Sequence, residues 1–181
     1  QSFDAKGEAC ACGIERMSKK FQTSYLVPNL LPVLDGVVDK LQAGALVGDV
    51  GCGAATSTVA MAKAFPNSTF IGYDISMNAL TRARANIQNA GISNVTLANP
   101  IDHPLSEDGT FDFITTFDVV HDSTHPDQLL NAIRKSLKAD GTWLCADIKG
   151  RSSFAENLKD NPMAAMAYSF SVMVCMSAGL S

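Results

Sequence analysis

Val47-Gly48-Asp49-Val50-Gly51-Cys52-Gly53-Ala54-Ala55-Thr56-Ser57 decides how this chain is read. An apolar run ends in an acid, two glycines follow with G-x-G spacing, and a helix-prone segment begins. That order predicts a buried strand, a tight turn and a helix N-terminus, an arrangement that holds nucleotide-like ligands. Glycine is needed where a backbone turns sharply or approaches a ligand with no Cβ between. Gly51, Cys52 and Gly53 are therefore candidate ligand contacts. Thr56 stands where a dinucleotide site would carry its third glycine. Asp49, just ahead of the turn, is a poor neighbour for a pyrophosphate and a good one for a cation.

Outward from this stretch the pattern alternates. Residues 45–50, 69–73, 95–97, 111–117 and 142–148 read as strands. Residues 58–65, 78–90 and 126–137 read as helices, followed by Pro66-Asn67, Gly91 and Asp140-Gly141. Such alternation implies parallel βαβ units. Right-handed crossovers wind them into an α/β, doubly wound, mostly parallel sheet of Rossmann-like type. Apolar positions at Leu30, Leu31, Leu34, Val37, Val38 and Leu41 predict a helix over 26–41, broken at its front by Pro28 and Pro32. Residues 1–25 read as a polar lead-in, poorly ordered or helical, ahead of a core over 26–181. A buried helix is expected over 154–175; its apolar run at 163–176 is short of the ~20 residues of a membrane span. The strand at 142–148 is apolar on both faces and would be an aggregation hazard at a sheet edge. Closing strands are therefore expected beyond Ser181, with the chain a core truncated at both ends.

At 181 residues and a net charge of -4, the chain is large enough for one domain with a full core. No basic tract points to nucleic acid, and the start lacks the pattern of a signal peptide. Of the cysteines Cys10, Cys12, Cys52, Cys145 and Cys175, the last three sit in apolar or turn contexts. That predicts reduced thiols and a cytoplasmic protein. Cys10-Ala11-Cys12 lacks a second Cys/His pair at zinc-site spacing. His121 and His125 stand four apart, but Pro126 disfavours helical geometry at His125. No metal site is expected.

Ligands of such sheets lie beyond the carboxyl ends of the strands. Asp74 ends the second strand roughly 20 residues beyond the glycines, where an acid accepts hydrogen bonds from ribose hydroxyls. Ile75 flanks it, and Ser76 suits the cap of the next helix better than Asp74 does. Asn99 opens a loop whose polar side chains either meet an adenine edge or do ordinary turn chemistry. Thr116 and Phe117 end the fourth strand and are expected to face the far end of the ligand. His121 is a candidate general base, with Asp118 and Asp122 beside it. The alternative is a loop histidine satisfied by Asp122.

Asp49-x-Gly51-x-Gly53 and Asp74, in this strand order, resemble the first and second motifs of the class I S-adenosylmethionine-dependent methyltransferases, over about residues 26–150. The resemblance implies an enzyme with S-adenosylmethionine (SAM) as cofactor, whose sulfonium and ammonium match the cation preference of Asp49. The resemblance supplies no particular substrate; a small-molecule methyl acceptor is expected, with neither nucleic acid nor membrane as partner. Asn99 stands where the family often has an aspartate, and Ala55 where many members carry glycine. Leu34-Asp35-Gly36-Val37-Val38, Thr116 to Asp122 and Met173-Val174-Cys175-Met176 are together similar to a subgroup with an N-terminal winged-helix-like region ahead of the catalytic domain. The chain lacks the Asn/Asp-Pro-Pro-Tyr/Phe signature of amino-methylating enzymes after the fourth strand. Two other readings stay open at this level. One is a SAM-binding protein without catalysis. The other is an NAD(P)-dependent oxidoreductase, against which Thr56 and the lack of a Tyr-x-x-x-Lys pair count.

Overall fold

The structure is a computed structural model and describes residues 3–176. Five parallel strands form one sheet: β1 Leu46–Val50, β2 Thr69–Tyr73, β3 Val95–Ala98, β4 Phe111–Phe117 and β5 Leu137–Ala146, in the order β3-β2-β1-β4-β5. The order reverses between β1 and β4, and a crevice opens there beyond the carboxyl ends of the strands. The helices are α1 Gly7–Ser24, α2 Val37–Ala43, α3 Thr56–Ala64, α4 Met77–Ala90, α5 Pro126–Ser136, α6 Phe154–Asp160 and α7 Ala164–Phe170.

Each face of the sheet carries its own core. Val47, Phe70 and Phe113 pack with Leu26, Leu31, Leu41, Met61 and Phe65 on one side. Val50, Tyr73, Phe111 and Ile114 pack with Ile133 of α5 on the other. Period-two alternation sends Val47 and Val50, and Phe70 and Tyr73, to opposite cores; Phe111 departs from it, because the β4–β5 pairing is irregular between Phe111 and Phe113. Gly48 leaves the space that Phe111 fills; a Cβ there would stand 3.2 Å from its ring.

Three expected elements differ in detail. The helix expected over 26–41 is a π-helical turn Leu26–Leu30, a 3-10 turn Leu31–Val33 and then α2. Pro28 and Pro32 have no N–H to continue a ladder, and Gly36 adopts φ 67° before α2. The buried helix expected over 154–175 is interrupted at Asn161-Pro162 into α6, α7 and a π-helical turn Ser171–Cys175, and most of it is exposed, Phe154, Met163, Met166 and Met173 among its apolar residues. The fifth strand starts at Leu137, not 142, and ends at Ala146, not 148. Its pairing steps from Phe111↔Leu137 to Phe113↔Thr142, so Lys138 to Gly141 bulge out of register. The expected Asp140-Gly141 turn is absorbed into the strand as that bulge.

The lead-in folds as a 3-10 turn Phe3–Lys6 and the 18-residue helix α1. Asp4 accepts hydrogen bonds from Met77 N at 2.9 Å and Asn78 N at 3.2 Å, adding a carboxylate to the N-terminus of α4. Lys6 Nζ donates to the carbonyl of Val174. Among the described residues no helix is long and apolar enough to cross a membrane.

Candidate active site

The turn after β1 is stitched to β2: Gly51 N and Cys52 N both donate to Tyr73 O, at 2.8 and 2.9 Å. Cys52 is buried over Gly72, where a Cβ would lie 2.9 Å from its Sγ. Gly51 (φ 72°) and Gly53 (φ 55°) take backbone conformations that favour glycine. Their surroundings differ. A Cβ on Gly51 would lie 2.3 Å from Val119 Cγ2, whereas one on Gly53 would meet no described atom within 4 Å. The open approach to the crevice is at Gly53. The close approach at Gly51 is to the protein itself.

Asp49 does not face a ligand. It is 1 % exposed, and its oxygens accept hydrogen bonds from Ser57 Oγ (2.7 Å), Thr58 Oγ1 (2.5 Å) and Thr115 Oγ1 (2.9 Å). The carboxylate clasps the start of α3 to β1 and β4. Burial pushes it above the usual carboxylate range, against the pull of those three hydroxyls. The direct contact with a cation expected from the sequence is closed to a carboxylate buried this way and absent from the cleft wall. Asp49 and Asp74 both add to the burial that holds the Cys52 thiol well above its ordinary value.

Asp74 ends β2 on the cleft wall. Its Oδ2 accepts from Gly53 N at 2.8 Å and its Oδ1 from Ser76 N at 2.8 Å. A carboxylate oxygen accepts more than one hydrogen bond, so both oxygens keep capacity for hydroxyls arriving from the cleft. Burial raises its pKa, and Asp49 and Asp4 add to the rise. Ile75, 55 % exposed, stands beside it as apolar surface.

The cleft holds about 330 Å³ and runs from Asp74 past Gly53 to Asp118 and Asp122. Gly51, Cys52, Gly53, Thr56, Asp74, Ile75, Phe117, Asp118 and Asp122 are on its wall. Asp49, Asn99, Thr116 and His121 are not. Thr116 is buried, its hydroxyl accepting from Trp143 Nε1 at 3.1 Å. Asn99 is spent on its own loop, its Oδ1 accepting from Ile101 N at 3.0 Å. Pro100 and Leu105 take its place on the wall.

A second wall comes from α1, through Cys10, Ala11, Ile14, Glu15, Ser18 and Gln22. Glu15, 7 % exposed, binds the Arg82 guanidinium of α4, with Arg82 Nε at 2.9 Å, and Asn86 Nδ2 at 3.1 Å. Burial would raise this carboxyl, but Arg82 and Asn86 outweigh it and hold it below the ordinary range. Thr56 Oγ1 donates to Gln22 Oε1. The residues recur at helical spacing along α1, a signal legible in principle but masked by the polarity of the segment.

At the other end, Asp118 adopts φ 54°, and a 3-10 turn Val120–Asp122 follows. His121 Nδ1 lies 2.5 Å from Oδ1 of Asp147, which follows β5. Its Nε2 lies 3.4 Å from Asp122 Oδ1. Partial burial and Asp147 raise Asp118. The Cys175 thiol, buried beside Asp122, is pushed up to about 11. Asp122 Oδ1 is buried with no hydrogen-bond partner among the described residues. His125 instead precedes α5 and joins none of these contacts. Asp147 and Cys175 were not singled out from the sequence for this place; their pairing with His121 is not local in the chain.

A family model for a methyltransferase domain matches residues 41–178. No curated protein sequence matches the chain. Among solved structures, the chain is similar to a Methanococcus maripaludis protein provisionally named an S-adenosyl-L-methionine-dependent methyltransferase. The identity is 19 %, the TM-score 0.63, and the match covers 88 % of this chain and 74 % of that one. A SAM-dependent methyltransferase from Aquifex aeolicus matches at 18 % identity and TM-score 0.60, over 81 % of this chain and 76 % of its own. PKMT2 from Rickettsia typhi, in complex with AdoHcy, matches at 30 % identity and TM-score 0.51. That match covers 57 % of this chain, which spans 20 % of the Rickettsia protein.

Proposed function

Because the chain belongs to the methyltransferase-domain family, we propose that its cleft binds SAM and that the protein methylates a small-molecule acceptor. The observation that carries this reading is Asp74, held at the end of β2 with acceptor capacity on both oxygens and turned into the cleft. The residues present fit the cofactor. Asp74 receives the ribose hydroxyls, as it would in any nucleoside site on this sheet. Gly53 lets the backbone meet the ligand. Ile75, Pro100 and Leu105 offer apolar surface to a purine. Glu15, Asp74, Asp118 and Asp122 line the cleft, against one cation, Arg82, already bound to Glu15. A cleft of that sign favours a cationic ligand, as does Asp49 behind it. The neighbour bound to AdoHcy supports the same cofactor.

When bound, SAM supplies a methyl group on a positive sulfonium, whose carbon–sulfur bond breaks with the electron pair going to sulfur. The chain's work is alignment and proton handling. Phe117, Asp118 and Val119 form the wall where the acceptor meets the methyl group. Asp118 and Asp122 face that space, and His121, oriented by Asp147, stands behind them. These three candidates take the proton of a hydroxyl or thiol acceptor.

Calorimetric titration with SAM, S-adenosylhomocysteine and NADH tests the reading. The first two should bind and NADH should not. Binding of NADH in preference to SAM would overturn it, and SAM binding without turnover across an acceptor panel would remove the catalytic half.

A further inference from the structure

A ring nitrogen of His121, a carboxylate oxygen of Asp122 and Cys175 Sγ lie within 4.8 Å of one another, beside the acceptor end of the cleft. We infer that these three atoms form a site for a zinc-type divalent cation. Imidazole, carboxylate and thiolate are the ligand types zinc takes, at arms of about 2.0–2.3 Å. Tetrahedral arms of that length put ligand atoms roughly 3.3–3.7 Å apart. The Nε2 to Oδ1 separation of 3.4 Å falls in this range.

Two features point to an ion. Asp122 Oδ1 is buried and no described residue makes a well-formed hydrogen bond to it; His121 Nε2 stands 3.4 Å away and the Cys175 thiol bonds the same carboxylate, so a cation among these groups would satisfy the oxygen. The second is behind the histidine. Asp147 Oδ1 sits 2.5 Å from His121 Nδ1; in the tautomer that donates to it from Nδ1, the Nε2 lone pair is left for an ion. A carboxylate behind a histidine ligand is the usual outer support of a zinc site. The same short contact leaves no room for an ion in the other cluster, Asp118, His121 and Asp147.

The two anionic ligands neutralise a divalent ion, and the thiol proton leaves to solvent on binding. Three protein ligands leave a fourth position. Asp122 lines the cleft, so that position opens toward the acceptor. Resting on the methyl-transfer reading, this narrows the acceptor to a hydroxyl or thiol that coordinates as its conjugate base, with the ion lowering its pKa. His121 Nε2 is then occupied, and the acceptor's proton passes to Asp118. The binding of the ion itself rests only on the geometry.

Chelator-treated protein titrated with Co2+, as a coloured stand-in for zinc, tests the site. One equivalent should bind with a thiolate-to-metal charge-transfer band. Cys175→Ser should lose that band and bind at least tenfold more weakly. Asp147→Asn should weaken binding roughly ten- to hundredfold, while Cys12→Ala should leave the band unchanged. SAM titration of each sample shows whether the cleft is intact. Protein that binds SAM but takes up no equivalent of Co2+ overturns the inference, as does a band that survives in Cys175→Ser. Co2+ bound through Cys175 without SAM binding upholds the ion site and removes the methyl-transfer reading.

Discussion

Asp74 Oδ2 accepts a hydrogen bond from Gly53 N at 2.8 Å, joining the carboxyl end of β2 to the turn after β1 across the head of the cleft. One carboxylate thus holds the turn in place and lines the cleft. Asp74→Ala should weaken SAM binding by about 1–3 kcal/mol, since ribose hydroxyls and the Gly53 amide lose their acceptor. Calorimetry reads this directly, and unchanged affinity would sink the ribose assignment.

Gly51 and Gly53 should separate by experiment. Gly51→Ala drives its Cβ into Val119, so it should lower the unfolding midpoint, and adding Val119→Ala should restore part of the loss. The remainder is the left-handed backbone, about 1–2 kcal/mol. Gly53→Ala bears only that backbone cost, and its methyl group projects into the cleft, so its larger effect should be on SAM affinity. Equal stability of Gly51→Ala and wild type would refute the clash.

Asp49 should matter to stability more than a ligand contact would. Asp49→Ala strands the hydroxyls of Ser57, Thr58 and Thr115 and should cost about 3 kcal/mol in urea denaturation. Asp49→Asn preserves the shape, sheds the cost of a buried charge and should lose about 1 kcal/mol. An alanine variant within 1 kcal/mol of wild type would show that the clasp is not needed.

The docking of α1 should depend on pH through Glu15. Its carboxyl lies below the ordinary range in the folded protein because Arg82 and Asn86 outweigh its burial. A depressed carboxyl stabilises above its unfolded pKa, and the contribution is lost as pH falls through the folded value. Amide protection in α1, taken relative to the intrinsic exchange rate at each pH, should therefore fall on acidification, and Glu15→Gln should flatten that response. Identical pH profiles in the two proteins would remove Glu15 as the latch.

Much of the fold could be read from local pattern. The strands at 69–73 and 111–117 fall where alternation and turn residues place them, and the order of strands and helices dictates the parallel winding. Boundaries failed where backbone chemistry has several outlets. Pro28 and Pro32 read as breakers, but not as the π-helical and 3-10 turns the chain answers with, and the break at Asn161-Pro162 falls inside a segment that reads as one helix. The β5 start was missed because Asp140-Gly141 reads as a turn while in the sheet it is a bulge. In the site, Asp74 was legible because an acid at a strand end, at a set distance past a glycine turn, has few roles. Asn99 and Thr116 share that placement, yet one side chain is consumed by its own loop and the other by Trp143.

The sequence by itself determined the winding of the sheet, the glycine turn after β1 and the acid at the end of β2, because each is written in spacings of a few residues. Tertiary structure alone decided that Asp49 turns inward to three hydroxyls, that α1 supplies a wall of the cleft, and that His121 meets Asp147 on one side and Asp122 and Cys175 on the other. Apart from Asp122, which follows His121 directly, and Ser57 and Thr58, just past Asp49, those partners lie far apart in the chain. Which atoms meet there follows from how the helices seat on the sheet, and no local periodicity carries that information.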